Sequence, residues 1–196
     1  YLIDFPVSRD EGCRRIFQNI LQKGRCEIGA HCHPWNTPPF KEALNESNSM
    51  LCNLPGDLVS EKLEALHQAL GEAFGTAPKS FRAGRWGFGP EVGRALEDLA
   101  YEVDTSITPY TDWSYYRGPD FSEASPGSYR FVSRNPLKED AKGTLREIPP
   151  TIGFLQKNFR LRNRIRRKIL KGPLSKMHLL GMLDRLNLLS LRWLSP

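Results

Sequence analysis

The chain has 196 residues, of which 39% are hydrophobic and 26% charged, a size that suits one compact domain or most of a larger one. It holds no apolar run of about 18 residues that could span a bilayer, and its four cysteines lack the paired spacing of a disulfide-held scaffold. The net charge of +6 is uneven, because residues 156–196 carry eleven Lys or Arg and one acid while the rest is slightly acidic. We expect reduced thiols, a cytoplasmic location and no signal peptide.

Short strands and amphipathic helices alternate along the first half of the chain. Apolar, β-prone runs predict strands at residues 1–5, 27–31, 79–84 and 101–107. Helical spacing predicts helices between them, with starts marked by the capping-box pair Ser8 and Glu11, by Asp57, and by Gly89-Pro90. We expect Gly24 and Gly75 to end the first two helices. This β-α-β-α-β-α-β order predicts a parallel sheet.

The pattern changes after Pro109. Aromatic residues, Gly and Pro crowd residues 110–129, which indicates an ordered loop, and residues 145–148 are a further strand candidate before Pro149-Pro150. We therefore expect an α/β domain over residues 1–154.

The remaining residues, 155–196, form a basic helical segment. Residues 154–171 predict a strongly basic helix with an apolar stripe, and Gly172-Pro173 breaks it. A Leu-rich helical or mixed segment follows at residues 175–191.

Ionisable side chains follow four predicted strands in succession. They are Asp4, then His31 and His33, then Arg82 and Arg85, then Asp104. Parallel α/β folds carry reactive groups at the carboxyl ends of their strands, whether the sheet is open or closed. The sequence therefore predicts a functional site at this edge.

The segment His31-Cys32-His33-Pro34 is the most informative part of that edge. Residues i and i+2 of a strand point to one face, so both imidazoles can enter one pocket while Cys32 faces away. Pro34 keeps His33 extended. Two imidazoles suit a divalent metal, zinc first, completed by a carboxylate and water. The alternative is a pair of polar histidines bonded to their neighbours.

The other strand-end residues each allow two interpretations. Arg82 and Arg85 can orient a carboxylate or hold the catalytic base, or they can form surface ion pairs. Asp104 can act in the site or cap a turn, and Asp4 can act there or simply end its strand.

Aromatic residues of the predicted loops lie on the same rim. They are Trp35, Trp86, Trp113, Tyr115 and Tyr116, and their rings can stack on sugars or pack in the core. We interpret His67, in a helix stripe, and His178, in the basic tail, as structural.

These residues resemble a known family. The run EIGAHCHPWNTPPF (27–40), then FRAGRWGFGP (81–90) and VDTS (103–106), resembles the polysaccharide deacetylases of the NodB-homology type. The resemblance spans residues 1–154 and implies a distorted, incomplete (β/α) barrel of about seven strands. It also implies metal-dependent hydrolysis of N- or O-acetyl groups on sugars.

The resemblance implies roles for individual residues. His31 matches the first metal ligand of the family, but Trp35 stands where the second is usual, so we assign His31 and His33 together. Arg82 matches an Arg that orients the catalytic carboxylate. Asp104 falls near the supporting acid of a later motif, for which Asp112-Trp113 is a rival. We expect Trp35, Arg85, Trp86 and Asp4 to bind the acetylated carbohydrate.

Two family motifs are absent from this sequence. The paired Asp that supplies the base and third ligand should precede Tyr1, and the Leu-x-His that carries the general acid should follow Pro196. We therefore expect a fragment that is inactive alone.

Two other classes remain as alternatives. Amidohydrolases also use His-x-His at a strand end, but they need further histidines, and His67 and His178 are poorly placed. A non-catalytic module could instead bind an anionic membrane or nucleic acid through residues 157–171, or that helix is simply solvated. With the deacetylase interpretation we expect no nucleic-acid partner, and membrane contact only through the tail.

Overall fold

The structure is a computed structural model that describes residues 1–154, 158–171, 182–183, 186, 188 and 191–193. The chain forms two compact units, Tyr1–Pro149 and Pro150–Pro196. The domain boundary predicted between residues 154 and 155 stays a prediction.

A six-stranded sheet forms the centre of the first unit. Its strands are β1 (Leu2–Ile3), β2 (Gly29–Cys32), β3 (Ser80–Ala83), β4 (Val103–Asp104), β5 (Tyr129–Phe131) and β6 (Leu145–Glu147). They lie in the order β1-β2-β3-β4-β6-β5, and every neighbouring pair is parallel except β5 with β6. The prediction of a parallel α/β sheet is confirmed. Among the described residues the sheet stays open, so the structure shows a mixed α/β fold and not a closed barrel.

Four helices accompany this sheet: α1 (Phe5–Arg9), α2 (Glu11–Leu21), α3 (Gly56–Phe74) and α4 (Pro90–Asp98). The apolar stripe of α3 is buried in the core with residues of β2 and β3, as its helical spacing predicts. Gly75 ends α3 with φ 74°, a left-handed conformation that glycine adopts without strain, and Gly89 precedes α4 as expected.

The predicted helix starts at Ser8 and Asp57 are wrong. Ser8 lies inside α1, where its hydroxyl donates to the carbonyl of Phe5. The carboxylates of Asp4 and Asp10 cap α1 and α2 instead, because each precedes a helix and accepts a backbone N–H from its first turn. Asp57 lies in the first turn of α3, after Pro55, and accepts from the N–H of Leu58.

One strand, β5, was missed by the sequence analysis, and it begins at Tyr129, the last residue of the predicted loop. β5 has Tyr129 and Phe131 buried with Arg130 exposed, and it returns antiparallel along β6. Alternation over three residues is too short to stand out from an aromatic-rich loop. The strand predicted over residues 101–107 shortens to β4.

The second unit contains β7 (Ile152–Phe154), α5 (Phe159–Lys171) and β8 (Leu191–Trp193), and β7 pairs antiparallel with β8. The basic helix is confirmed, although its predicted first residue, Phe154, belongs to β7. The break at Gly172-Pro173, His178 and most of the predicted segment 175–191 lie outside the described residues. In the part of the chain that is described, no helix has the length and apolar character needed to cross a membrane.

Candidate functional site at the carboxyl edge of the sheet

The parallel strands bring five ionisable residues to one edge. Each lies at the carboxyl end of its strand or within one residue of that end. In the order β1, β2, β3, β4 and β6, they are Asp4, His31, Arg82, Asp104 and Glu147. Across the ladders, His31 pairs with Arg82, and Asp104 pairs with Glu147. The predicted clustering at the carboxyl ends is therefore present, and the structure adds Glu147 to it.

The backbone of β3 fixes the orientation of His31. Its Nδ1 lies 2.9 Å from the carbonyl oxygen of Arg82. A carbonyl only accepts hydrogen bonds, so the neutral imidazole carries its proton on Nδ1 and leaves the Nε2 lone pair available. Burial lowers the pKa of His31, which favours this neutral form.

His33 lies beside His31, as the i, i+2 spacing predicts. The two ring centroids are 4.5 Å apart, and the ring of Trp35 lies 4.3 Å from that of His33. His33 precedes Pro34 in an extended conformation, with φ −108° and ψ 125°. Burial, with the neighbouring His31 second, lowers the pKa of His33 to about 4. Its Nδ1 is buried without a hydrogen-bond partner.

Gly84 makes room for this imidazole. A Cβ built on Gly84 would overlap Nδ1 of His33 and come within 2.7 Å of the carbonyl oxygen of Cys32. Only a residue without a side chain lets the turn after β3 pass under the end of β2. Cys32 itself points into the core, fully buried, as the alternation predicts.

The histidine pair fits a divalent metal by donor type. Two neutral imidazoles converge, one held through its second nitrogen by a backbone carbonyl, the usual support of a metal-bound histidine. A buried nitrogen of His33 also lacks a partner. No group of three or more His, Cys, Asp or Glu suited to a metal occurs among the described residues. Such a pair could supply two of the three protein ligands usual for catalytic zinc.

Asp4 connects the first strand to the loop that carries Trp35. Its Oδ1 accepts from the N–H of Val7 (3.2 Å), and its Oδ2 accepts from the side-chain amide of Asn36 (2.9 Å). Both oxygens therefore have donors from the protein. The carboxylate also raises the pKa of His31 and of His33, but less than burial lowers them.

Arg82 lies between the histidines and the buried acids. Its Nε donates to the hydroxyl (2.8 Å) and the carbonyl (3.2 Å) of Thr105, and its guanidinium lies 5.2 Å from the ring centre of Trp86. These interactions hold the guanidinium against the end of β4. Arg85, in the turn that follows, is exposed, and no residue of the described chain forms an ion pair with it.

Asp104 and Glu147 form a fully buried carboxyl pair. Asp104 accepts from the hydroxyl (2.6 Å) and the N–H (3.1 Å) of Ser106, and Glu147 accepts from the N–H of Ile107 (3.2 Å). The remaining oxygen of Glu147, Oε2, has no donor. A proton shared between the two carboxyl groups would satisfy it.

Burial explains why this pair keeps a proton. It raises the pKa of Asp104, and burial together with the charge of Asp104 raises the pKa of Glu147 well above its usual range. The guanidinium of Arg82 opposes the rise in the pKa of Glu147, because it favours the ionised form. Both shifts favour retention of a proton by the pair.

The structure separates Asp104 from its sequence rival. Asp112 is exposed and accepts from the N–H of Ser114, while Trp113 donates its indole N–H to the hydroxyl of Thr108 (2.8 Å). His67, a residue of α3, packs against Tyr101, with their ring centroids 5.5 Å apart. All four cysteines, including Cys32, are free thiols.

Lys62 holds the loop after His33, a role that the sequence analysis missed. Its fully buried Nζ donates to the carbonyls of Pro34 (3.0 Å), Thr37 (2.7 Å) and Pro39 (2.7 Å). It also pairs with the buried carboxylate of Glu42 at 2.9 Å. Lys62 thus anchors the loop that carries Trp35 and Asn36 to α3.

Simple patterns could have found the missed residues. Lys62 falls four residues after Leu58 and four before Leu66, inside the apolar stripe of α3, where a charge needs a buried partner. Glu147 follows Leu145 by two residues and therefore shares its buried face. No local signal marks Gly84, because its importance comes from a neighbouring strand.

No protein-family model and no curated protein matches the chain. Among solved structures, it is similar to a crystal structure from Mycobacterium smegmatis of a protein provisionally named a polysaccharide deacetylase. The identity is 17% and the TM-score 0.49, and the match covers 76% of this chain and 40% of that one. This chain thus spans less than half of that neighbour's length, and the comparison shows neither the family nor the activity of this chain.

Proposed function

We propose that this chain is part of a polysaccharide-deacetylase-like hydrolase that removes acetyl groups from an N- or O-acetylated sugar. The observation that carries the proposal is the convergence of His31 and His33, one of them oriented by the carbonyl of Arg82. The order of motifs along the sequence supports it, and so does the line of polar strand ends beside the pair. The finer fold of this proposal is a distorted, incomplete (β/α) barrel.

Each residue of the edge has a proposed part. His31 and His33 hold a divalent metal, zinc first, which when bound polarises an acetyl carbonyl and lowers the pKa of water. Arg82 orients the catalytic carboxylate, and Asp104 supports the site as a buried acid. Trp35, Arg85, Trp86 and Asp4 contact the sugar. The proposal assigns the third ligand, the base and the general acid to none of the described residues.

The proposal assigns the reaction to the cytoplasm or to a membrane surface, with the acetylated carbohydrate as the partner. The first test is metal content, measured by elemental analysis on the full-length protein and on its His31→Ala and His33→Ala variants. We expect about one zinc per chain, lost in both variants and kept in the control His67→Ala. Acetate release from acetylated sugars by the loaded protein is the second readout.

Two results would refute the proposal. One is the absence of bound zinc after zinc is added to the full-length protein. The other is zinc that His31→Ala and His33→Ala retain as well as the control does.

A second candidate function rests on α5. Its exposed residues, Leu161, Arg164, Ile165 and Lys168, recur at spacings of three and four and so lie on one face. Apolar side chains flanked by cations suit the interface of an anionic membrane. Leu161 and Ile165 are 54% and 41% exposed.

Vesicle sedimentation tests this second candidate. We expect the full chain to bind phosphatidylglycerol vesicles and not phosphatidylcholine ones, with affinity that falls as salt rises. The double variant Leu161→Ser/Ile165→Ser should lose binding, and the control Ile16→Ser, an exposed apolar residue of α2, should keep it. Binding to DNA in place of vesicles would contradict the membrane proposal.

A further inference from the structure

A pocket of about 310 Å³ opens beside the carboxyl edge of the sheet. Its lining is formed by Met50, Arg85, Trp86, Trp113 and Tyr116. Two turns supply most of these residues, one after β3 and one in the loop that follows β4. Because Trp86 also lies over the guanidinium of Arg82, the pocket adjoins the candidate site.

The walls of this pocket are held in place. Arg85 and Trp86 both adopt left-handed backbone conformations, with φ 54° and φ 62°, at a cost of roughly 1–3 kcal/mol each that the surrounding structure must offset. The hydrogen bond from the indole of Trp113 to Thr108 fixes a second wall. Gly118 passes close to this wall, since a Cβ there would lie 2.8 Å from Cβ of Trp113.

The pocket combines aromatic faces with one cation. It is lined by no acidic residue, and Arg85 has no ion-pair partner among the described residues. Aromatic walls offer apolar surface to the C–H face of a sugar ring. A guanidinium binds a carboxylate through two parallel hydrogen bonds, a geometry that a neutral hydroxyl does not match.

We propose that this pocket binds a carboxylate-bearing sugar, a uronic acid, with the ring against Trp86 and Tyr116 and the carboxylate on Arg85. The proposal rests on the proposed function in one respect, since it makes the substrate an acidic polysaccharide in which a uronic acid neighbours the acetylated residue. The pocket then selects the polymer, and the strand edge acts on its acetyl group.

Binding of two oligosaccharides to the full chain tests the proposal. The acidic probe is a hexasaccharide that alternates glucuronic acid with N-acetylglucosamine, and the neutral probe is the N-acetylglucosamine hexasaccharide. We expect tryptophan fluorescence and calorimetry to show tighter binding of the acidic probe. Arg85→Gln should weaken that binding about tenfold, equivalent to about 1.4 kcal/mol, and leave the neutral probe unchanged.

Two further variants keep the test sharp. Tyr116→Ala, which removes an exposed ring, should weaken both probes. Arg134→Gln is the matched control, because exposed Arg134 follows the antiparallel β5 and so lies toward the opposite edge of the sheet. It should leave both affinities unchanged.

The proposal is overturned if the two probes bind equally, if neither binds, or if Arg85→Gln weakens both alike. These outcomes are separate from the zinc test of the proposed function, because sugar binding is measured without metal or turnover. If the unsubstituted protein binds no zinc but still prefers the acidic probe, the hydrolase proposal is refuted and the pocket proposal stands. If the unsubstituted protein binds zinc but does not prefer the acidic probe, the pocket proposal is refuted and the hydrolase proposal stands.

Discussion

The buried ammonium of Lys62 gives the sharpest prediction about stability. Lys62→Met keeps the apolar stem and removes the charge, so the carbonyls of Pro34, Thr37 and Pro39 lose their donor. The carboxylate of Glu42, whose side chain is only 5% exposed, loses its cation as well. Removing one partner of a buried ion pair costs about 3–5 kcal/mol, because the other charge stays buried and uncompensated.

Urea unfolding of the full chain measures this cost through the midpoint and the slope. Lys79→Met is the matched control, since Lys79 also donates to a carbonyl and approaches a carboxylate, that of Glu102 at 3.5 Å, but is exposed. Exposed pairs contribute about 0–1 kcal/mol. We expect Lys62→Met to lower the free energy of unfolding by about 3–5 kcal/mol and Lys79→Met by less than about 1 kcal/mol.

The same variant should loosen the loop locally. Because the ammonium no longer ties three of the loop carbonyls to α3, the amide hydrogens of Trp35, Asn36 and Thr37 should exchange faster, while the amides of α4 change only as far as global stability does. Equal destabilisation by the two lysine variants would refute this reasoning, because the argument depends on burial and not on hydrogen bonding alone. An unchanged exchange rate at Trp35, Asn36 and Thr37 would refute the anchoring role.

Two other predictions concern the candidate site. Because the pKa of Glu147 is higher in the folded than in the unfolded chain, folding retains a proton, and stability falls by about 1.4 kcal/mol per pH unit as the pH rises above the usual Glu value. Glu147→Gln keeps the acceptor for Ile107 and replaces the shared proton with an N–H. Urea unfolding at pH 4 and pH 7 should therefore show that the free energy of unfolding depends less on pH in this variant than in the unsubstituted chain. An equal pH dependence in the two proteins would contradict the buried proton. Gly84→Ala should displace His33 and cost roughly 1–3 kcal/mol. Gly71→Ala, inside α3, should stabilise the fold by about 0.5–1 kcal/mol, because a Cβ there meets nothing within 4 Å. Equal thermal stability of the Gly84→Ala and Gly71→Ala variants would count against the close approach of Gly84 to His33.

The parallel sheet and the position of its edge could be predicted because they depend on local patterns. Apolar runs of β-prone residues, Gly75 after a helical stripe and Gly89-Pro90 before another mark boundaries that the structure keeps within a few residues. The ionisable residues directly after those strands then had to meet at one edge. His31 and His33 share a face for the same reason, the period of two along a strand.

The rest depends on partners distant in sequence. Ser8 fits a capping box as well as Asp10 fits a single cap, and packing decides between them. No local pattern predicts that Lys62 pairs with Glu42 or that Asp104 pairs with Glu147, because the two members of each pair are distant in sequence. Burial, which raises the pKa of Asp104 and of Glu147, appears only once the chain is folded.

The hydrogen bond from His31 to β3 has a consequence for mutational scanning. The acceptor is the main-chain oxygen of residue 82, so every amino acid placed there supplies it. Substituting Arg82 removes the guanidinium near Thr105 and Trp86 but leaves the imidazole of His31 supported. A scan of position 82 therefore reports on the side chain alone, and the support of the histidine is robust to sequence drift at that position. Only changes that shift the register of β2 against β3 can remove it.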